Sequence, residues 1–278
     1  MDTPLCNLRK HLSADALIRL LGDTFAEVPV PHDHPTTISL RDALLSGLAL
    51  FHLKSPSLLA FDQQRTEGNL KSIYHIQQVP CDTQMRTILD PVDPEHLRPA
   101  FQTVFRQLQR GKVLESLVFF EGCYLLALDG SEYFASDTIH CPSCMQRKQG
   151  KQEAICYYHQ MLGAVLIHPD QREVIPWMPE PINKQDGQTK NDCERNAAKR
   201  FFSQLRQDDP DWPFIITEDA LSANAPHGQE LHRHNLRYML GVKEGDQAFL
   251  FASVAAAHQA GQTTEYECKH LDWGKSVA

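Results

Sequence analysis

The sequence predicts an α/β protein with a helical region in front of a mixed sheet that is flanked by helices. Three observations predict it. Residues 1 to about 112 carry apolar residues at helical spacing. From Leu114 onward, short apolar runs of strand length take over. Between those runs lies one long segment, Gln188 to Arg206, whose Ala197, Ala198, Phe201, Phe202 and Leu205 repeat at helical period.

In the first part, Ser13 is placed to cap a helix with Leu17, Leu20, Leu21 and Phe25 on one face. The Pro- and His-rich stretch from Val28 to Pro35 breaks it. Ser39 is placed to cap a second helix with Leu40, Leu44, Leu48 and Phe51 aligned. Short helices fit around Leu58, Leu70 to Ile76 and Met85 to Leu89. Asp93-Pro94-Glu95 then opens a helix that runs to about Arg110, with Pro in its first turn. Arg98, Arg106, Arg110 and Lys112 have no acid between them, which suits either a solvated face or a phosphate-facing surface.

In the second part, the run Val118 to Leu128 reads in its second half as a buried strand ending at Asp129. Ile155 to Ile167 and Glu173 to Pro176 read as further strands. Trp212 to Thr217 is a buried strand followed by Glu218-Asp219. Ala225 to Asn235 is a short helix, and Leu236 to Val242 a last strand. The order is β-β-β-α-β-α-β. Phe249 to Val254 and Thr263 to Cys268 look like short strands. The divisions expected are a helical region at 1–112, a mixed α/β region at 113–246 with a CxxC hairpin at 140–159, and a last segment at 247–278.

Composition excludes several classes. The chain of 278 residues is 42% hydrophobic and 22% charged, so it is neither a disordered nor a coiled-coil sequence. Its apolar runs are too interrupted for a membrane span, and the first ten residues lack the apolar core of a signal peptide. A cytoplasmic protein is expected. Its eight cysteines then read as free or metal-bound thiols rather than a disulfide framework. The net charge of -8 argues against non-specific coating of nucleic acid. There is no phosphate loop, dinucleotide fingerprint or nucleophile elbow.

Two sets of residues carry candidate chemistry. Asp129 and Asp219 each follow a buried strand, where they either cap turns or face a cleft and share Mg²⁺ or Mn²⁺. Cys141-Pro-Ser-Cys144 and Cys156-Tyr-Tyr-His159 have the pairing of a structural Zn²⁺ site. However, Cys156 and His159 are three apart and point to opposite faces of a regular strand. The expected ligands are therefore Cys141, Cys144, His159 and one of His140 or Cys156, against a reduced, metal-free hairpin. The basic tip Arg147-Lys148-Gln-Gly-Lys151 is a candidate contact for a DNA backbone, whereas His227, His232 and His234, with Arg233 and Arg237 nearby, are either ordinary surface histidines or a DNA-facing group.

The wording around the acids goes further. Leu126-Ala-Leu-Asp-Gly-Ser-Glu-Tyr-Phe134 resembles the first-aspartate strand of DDE transposases of bacterial insertion sequences. Tyr157 to Val165, Pro179 to Ile182 and Gln185 to Arg200 are similar to the same group, and Ile216-Thr-Glu-Asp-Ala-Leu221 is similar to its second-aspartate strand. Val79 to Pro94 resembles the helical region those enzymes carry before the catalytic domain. The resemblance covers most of the chain from about Asp42. It implies a helical, DNA-binding region at 1–112, a ribonuclease-H-like catalytic core at 113–246 with Asp129 and Asp219 as the first and second metal-binding acids, and the start of a β-rich insertion at 247–278. It further implies Mg²⁺ or Mn²⁺ as cofactor, and hydrolytic nicking at element ends followed by attack of the freed 3′-hydroxyl on target DNA. The expected partner is DNA, both terminal repeats and target, with the protein assembled on it as a homodimer.

One departure stands out. The family's third acid is a Glu on a helix after the fifth strand, and no amphipathic helix surrounds Glu265 or Glu267. The expectation is a chain truncated before that acid and catalytically impaired. Glu194, on the helix between the third and fourth strands, is either an exposed acid favoured by the helix dipole or a substitute metal ligand. Asp192 is a weaker candidate. Alternative functions are a non-catalytic DNA-binding fragment that regulates transposition, and a stand-alone nuclease using Asp129, Glu194 and Asp219.

Overall fold

The computed structural model describes residues 10–31, 37–66, 68–150, 154–182, 193–264, 270–272 and 275–277. The protein is a mixed α/β structure that divides into two compact units. The first is Met1–Leu126 with Gly163–Glu180, and the second is Ala127–Leu162 with Pro181–Ala278.

The first unit is built on helices α1 (Ala14–Ala26), α2 (Leu40–His52), α3 (Leu58–Gln64), α4 (Gly68–Tyr74), α5 (Asp82–Leu89) and α6 (Arg98–Arg110). Ser13, Ser39 and Ser57 cap α1, α2 and α3, each hydroxyl accepting a bond from the backbone N–H three residues on, at 3.0–3.2 Å. Asp93 caps a 3-10 turn that leads into α6. Ile18, Phe25, Leu44, Leu45, Phe61 and Ile88 share one core.

Of the face that the leucine spacing predicts for α2, Leu40 and Leu44 are buried and Leu48 packs against the core, but Phe51 does not follow. Phe51 is 78% exposed. The buried face is centred on Asp42, Leu45 and Ala49, and Phe51 lies roughly 120° around the helix from Leu45. Asp42 is itself a core residue. Its carboxylate accepts the backbone N–H groups of Gln77 and Gln78 at 3.3 and 3.0 Å, and Arg41 Nη1 at 3.3 Å. A charge inside this helical core is thus tied to three donors, as burial requires.

The sheet has strands β1 (Tyr124–Ser136), β2 (Met145–Gln149), β3 (Ala154–Ile167), β4 (Ile175–Pro176), β5 (Glu180–Ile182), β6 (Phe214–Glu218) and β7 (Arg237–Leu240). Its path is β2-β3-β1-β6-β7, with β4 and β5 pairing β3 off that path. β2 is antiparallel to β3 from Met145 opposite Tyr158 to Gln149 opposite Ala154. β6 is parallel to β7, from Ile215 opposite Arg237 to Glu218 opposite Leu240. Helices α7 (Glu194–Asp208), α8 (Ala225–Arg233) and α9 (Ala248–Gln259) complete the second unit. As its period predicts, α7 buries Ala197, Ala198, Phe201, Phe202 and Leu205.

Two expectations are corrected here. The first strand does not end at Asp129 but continues to Ser136. Burial stops after Leu128 while strand pairing does not, so the apolar run marks only the buried half. Phe249 to Val254 is not a strand but the first half of α9. The segment holds Ala248, Ala252, Ala255, Ala256 and Ala257, and this alanine content outweighs its Phe and Val. Beyond it, His270–Asp272 (β8) and Lys275–Val277 (β9) pair as an antiparallel ribbon. Asp192, and Glu265 and Glu267 in the expected strand Thr263 to Cys268, fall outside the described residues. No helix among the described residues is long and apolar enough to cross a membrane.

Candidate functional site

Glu194 opens α7, where the helix dipole favours a negative charge. Its side chain is not a free surface acid. Oε1 accepts a hydrogen bond from Gln160 Nε2 of β3 at 2.6 Å. The same carboxylate lies directly over Gly130 of β1. A Cβ built on Gly130 would stand 1.9 Å from Glu194 Oε1 and 2.6 Å from Gln160 Nε2. With the Glu194 side chain in this position only glycine leaves that space, and Gly130 lies within β1 rather than in a turn. Asp129 is exposed beside it, at the limit of the buried half of β1.

Asp219 follows β6, the neighbour of β1 in the sheet. Its Oδ1 accepts the backbone N–H of Leu221 at 2.9 Å and so caps the 3-10 turn Ala220–Ser222. Asp219 is exposed, while its neighbour Glu218 is anchored inward by His227 Nε2 at 2.5 Å. The side chains of Glu218 and His227 are 5% and 3% exposed. This inward pair fixes the end of β6, and the next residue, Asp219, is left at the surface. Gly241, after β7, donates its N–H to Glu218 O at 3.0 Å. A Cβ there would lie 3.6 Å from Asp219 Cα, so β7 packs closely against the Asp219 backbone.

A cleft of about 250 Å³ joins these parts. It is lined by Gln160, Cys193, Glu194 and Arg195, together with Leu221 and Ser222 of the turn that Asp219 caps. Of the three expected acids, Glu194 lines the cleft itself, Asp129 adjoins the Gly130 on which its carboxylate rests, and Asp219 caps the turn whose Leu221 and Ser222 line it. They do not form a closed cage. Among the described residues, the set of three or more metal-ligating side chains with all donor atoms within 4.8 Å is a different one, Cys141, Cys144 and His159. The three carboxylates suit a hard divalent cation by donor chemistry.

In that other set, Cys141 and Cys144 lie between β1 and β2, and His159 on β3. Cys141 Sγ and Cys144 Sγ are 3.6 Å apart, and each is 3.2 Å from His159 Nε2. The backbone N–H of Cys141 donates to Cys144 Sγ at 3.2 Å. Cys144 is buried and Cys141 exposed. Tyr133 stacks on the His159 ring at 5.9 Å, and burial lowers the imidazole's pKa, keeping it neutral and able to ligate. His140 instead stacks on Tyr157 at 4.3 Å. Cys156 is buried, with its Sγ against the Tyr157 carbonyl. The structure brings together three of the five expected ligands and leaves His140 and Cys156 outside.

The expected cationic surfaces are partly engaged. Arg98 grips Glu95 with contacts of 2.9–3.1 Å, Lys112 pairs with Glu115 at 3.4 Å, and Arg147 binds Glu132 while lying over the Tyr158 ring. Arg233 and His234 both contact Glu230, at 2.6 and 3.1 Å. His232 and Arg233 border a second cleft, of about 750 Å³, with Tyr238 and Leu250.

Sequence reasoning missed Gln160, the Glu218–His227 pair and Arg206. Arg206 donates to the carbonyls of Trp212, His234 and Asn235 at 2.7–2.8 Å and so fixes the segments that lead into β6 and β7. The one available signal was the acid doublet Glu218-Asp219, of which strand alternation must turn one inward.

No family model matches the chain, and no curated protein sequence matches it. A solved structure similar to it is that of a piggyBac transposase synaptic complex with hairpin DNA. The identity is 11% and the TM-score 0.35, over 87% of this chain and 52% of that one. The chain thus spans about half the length of the one it matches.

Proposed function

We propose that this chain carries the catalytic core of a transposase of an insertion element, cutting and joining DNA by metal-dependent phosphodiester hydrolysis and strand transfer. One observation carries the reading. Gln160 holds the Glu194 carboxylate on Gly130, beside Asp129 and in a cleft that the turn capped by Asp219 also lines. Glu194 in the cleft, Asp129 beside Gly130 and Asp219 on the turn at its edge support the reading from the motifs that resemble DDE transposases, with Glu194 as the third acid in this chain.

Asp129, Asp219 and Glu194 would hold Mg²⁺ or Mn²⁺, which supplies a water of lowered pKa and neutralises charge on the leaving 3′-oxygen. The protein's own part is positioning. Gln160 fixes the rotamer of Glu194 by a hydrogen bond to a charged acceptor. Gly130 provides the room. The Glu218–His227 pair fixes the strand end from which Asp219 projects. The helical region at 1–112 is assigned the grip on terminal repeats, in an assembly that is a homodimer on DNA.

The test is nicking of supercoiled plasmid carrying an element end, with Mg²⁺ or Mn²⁺ present. Nicking is expected from the full chain and should be lost in Asp129→Ala, Asp219→Ala and Glu194→Gln. Nicking that survives Asp129→Ala would overturn the assignment. If only Glu194→Gln retains it, the third acid lies elsewhere.

A further inference from the structure

We infer that Cys141, Cys144 and His159 form a Zn²⁺ site with three protein ligands, closed by a fourth ligand that is neither Cys156 nor His140. The inference stands apart from the carboxylate cleft and does not depend on it.

The distances argue for it first. Tetrahedral zinc with Zn–S near 2.3 Å and Zn–N near 2.0 Å sets ligand atoms roughly 3.5–3.8 Å apart. The observed separations are 3.6, 3.2 and 3.2 Å. All three donors therefore already surround one point to within a few tenths of an ångström. The sulfurs are far beyond the ~2.05 Å of a disulfide, so a covalent bond does not explain their approach.

The surroundings argue for it second. The Cys141 N–H to Cys144 Sγ bond is the kind of outer contact that stabilises a ligating thiolate. The His159 ring is held by Tyr133 and Phe134, each at 5.9 Å, with Nε2 toward both sulfurs. Cys144 is 1% exposed, and its buried thiol faces a second thiol and an imidazole.

The excluded residues argue for the ligand set. Cys156 is three residues from His159 on β3, with its side chain on the other face, opposite Arg147 in the strand register. His140 is committed to Tyr157. The fourth ligand is then water or a group outside this trio, and Cys141, being exposed, leaves the site open to it. Such a site ties the β1–β2 connection to the middle of β3. His159 is the neighbour of Gln160, and alternation places them on opposite faces, so the clip holds the strand from behind the residue that positions Glu194.

Binding would release the two thiol protons, and affinity would fall in acid accordingly. The test uses the full chain purified without chelator. About one zinc per chain is expected by elemental analysis, and less than about 0.2 would overturn the inference. Cys144→Ser and His159→Ala should each lose the metal, whereas Cys156→Ser and His140→Ala should keep it. Loss in Cys156→Ser equal to that in Cys144→Ser would overturn the ligand set. Because Cys144→Ser can also fail to fold, the wild-type chain is stripped and reloaded with Co²⁺. Visible d–d bands of tetrahedral cobalt with thiolate charge transfer support the site, and a weak octahedral spectrum overturns it.

Discussion

The carboxylate of Glu194 rests on the α-carbon of Gly130, so close that the smallest side chain at 130 would occupy the same space. The contact joins the start of α7 to the middle of β1, next to Asp129. It makes Gly130→Ala a sharp probe. The new methyl would overlap Glu194 Oε1 and crowd Gln160 Nε2, and the movable partner is the Glu194 side chain rather than the strand. The variant should therefore fold, with a loss of about 1–3 kcal/mol in stability from overpacking. Its nicking rate should fall to that of Glu194→Gln. Gly68→Ala, at the first position of α4 with nothing within 4 Å of a new Cβ, is the matched control and should leave both readings nearly unchanged. Equal nicking by Gly130→Ala and wild type would show that Glu194 takes no part.

Gln160 separates positioning from chemistry. Its amide donates 2.6 Å to Glu194 Oε1. Gln160→Ala removes a hydrogen bond to a charged group, worth about 1.5–3 kcal/mol, and frees the Glu194 rotamer. Gln160→Glu does more, because it sets one carboxylate against another. Nicking should fall in the order wild type, Gln160→Ala, Gln160→Glu. Higher Mg²⁺ should recover more of the Gln160→Glu loss, since a cation relieves the repulsion. Equal rates for the two variants at every Mg²⁺ concentration would refute a positioning role.

Local signals in the sequence translated directly into structure. Ser13 and Ser39 cap the helices expected of them, and α7 buries the five residues its period selects, because capping and periodicity act within a few residues. Buried strand halves were visible as apolar runs. What was hidden depends on partners far along the chain. The exposed half of β1 pairs without being apolar. Gln160 reads as one polar residue in a strand until α7 brings Glu194 to it. Asp42 reads as an ordinary first-turn acid of α2, although the segment after α4 wraps it. The helix at Ala248–Gln259 was misread because Phe and Val weigh toward strand, while its alanines decide the backbone.

Asp42 should be among the costliest single positions in the first unit. Its residue is 4% exposed, and its two oxygens serve the N–H groups of Gln77 and Gln78. Asp42→Ala leaves those donors without their acceptor and the Arg41 contact broken. Each buried unsatisfied group costs about 1–3 kcal/mol, so a total loss of roughly 2–5 kcal/mol is expected. Asp42→Asn keeps one carbonyl oxygen and should cost clearly less. Urea unfolding of the full chain measures both, and a change within about 0.5 kcal/mol for Asp42→Ala, the range of ordinary surface substitutions, would refute the assignment.

The Glu218–His227 pair offers the corresponding test in the second unit, and it bears on Asp219. The Oε2 of Glu218 meets His227 Nε2 at 2.5 Å with both side chains almost fully enclosed. His227→Ala would leave the Glu218 carboxylate buried without that partner, a loss of about 3–5 kcal/mol. His227→Gln retains a donor and should recover part of it. The double variant Glu218→Leu with His227→Leu removes both polar groups and should be less unstable than His227→Ala, since no charge is left stranded. Nicking distinguishes packing from positioning. In the double variant the fold is restored, yet the strand end that aims Asp219 has lost its inward anchor, so stability should return further than activity. If activity and stability return together, the pair serves the core alone, and Asp219 is aimed by the 3-10 turn it caps.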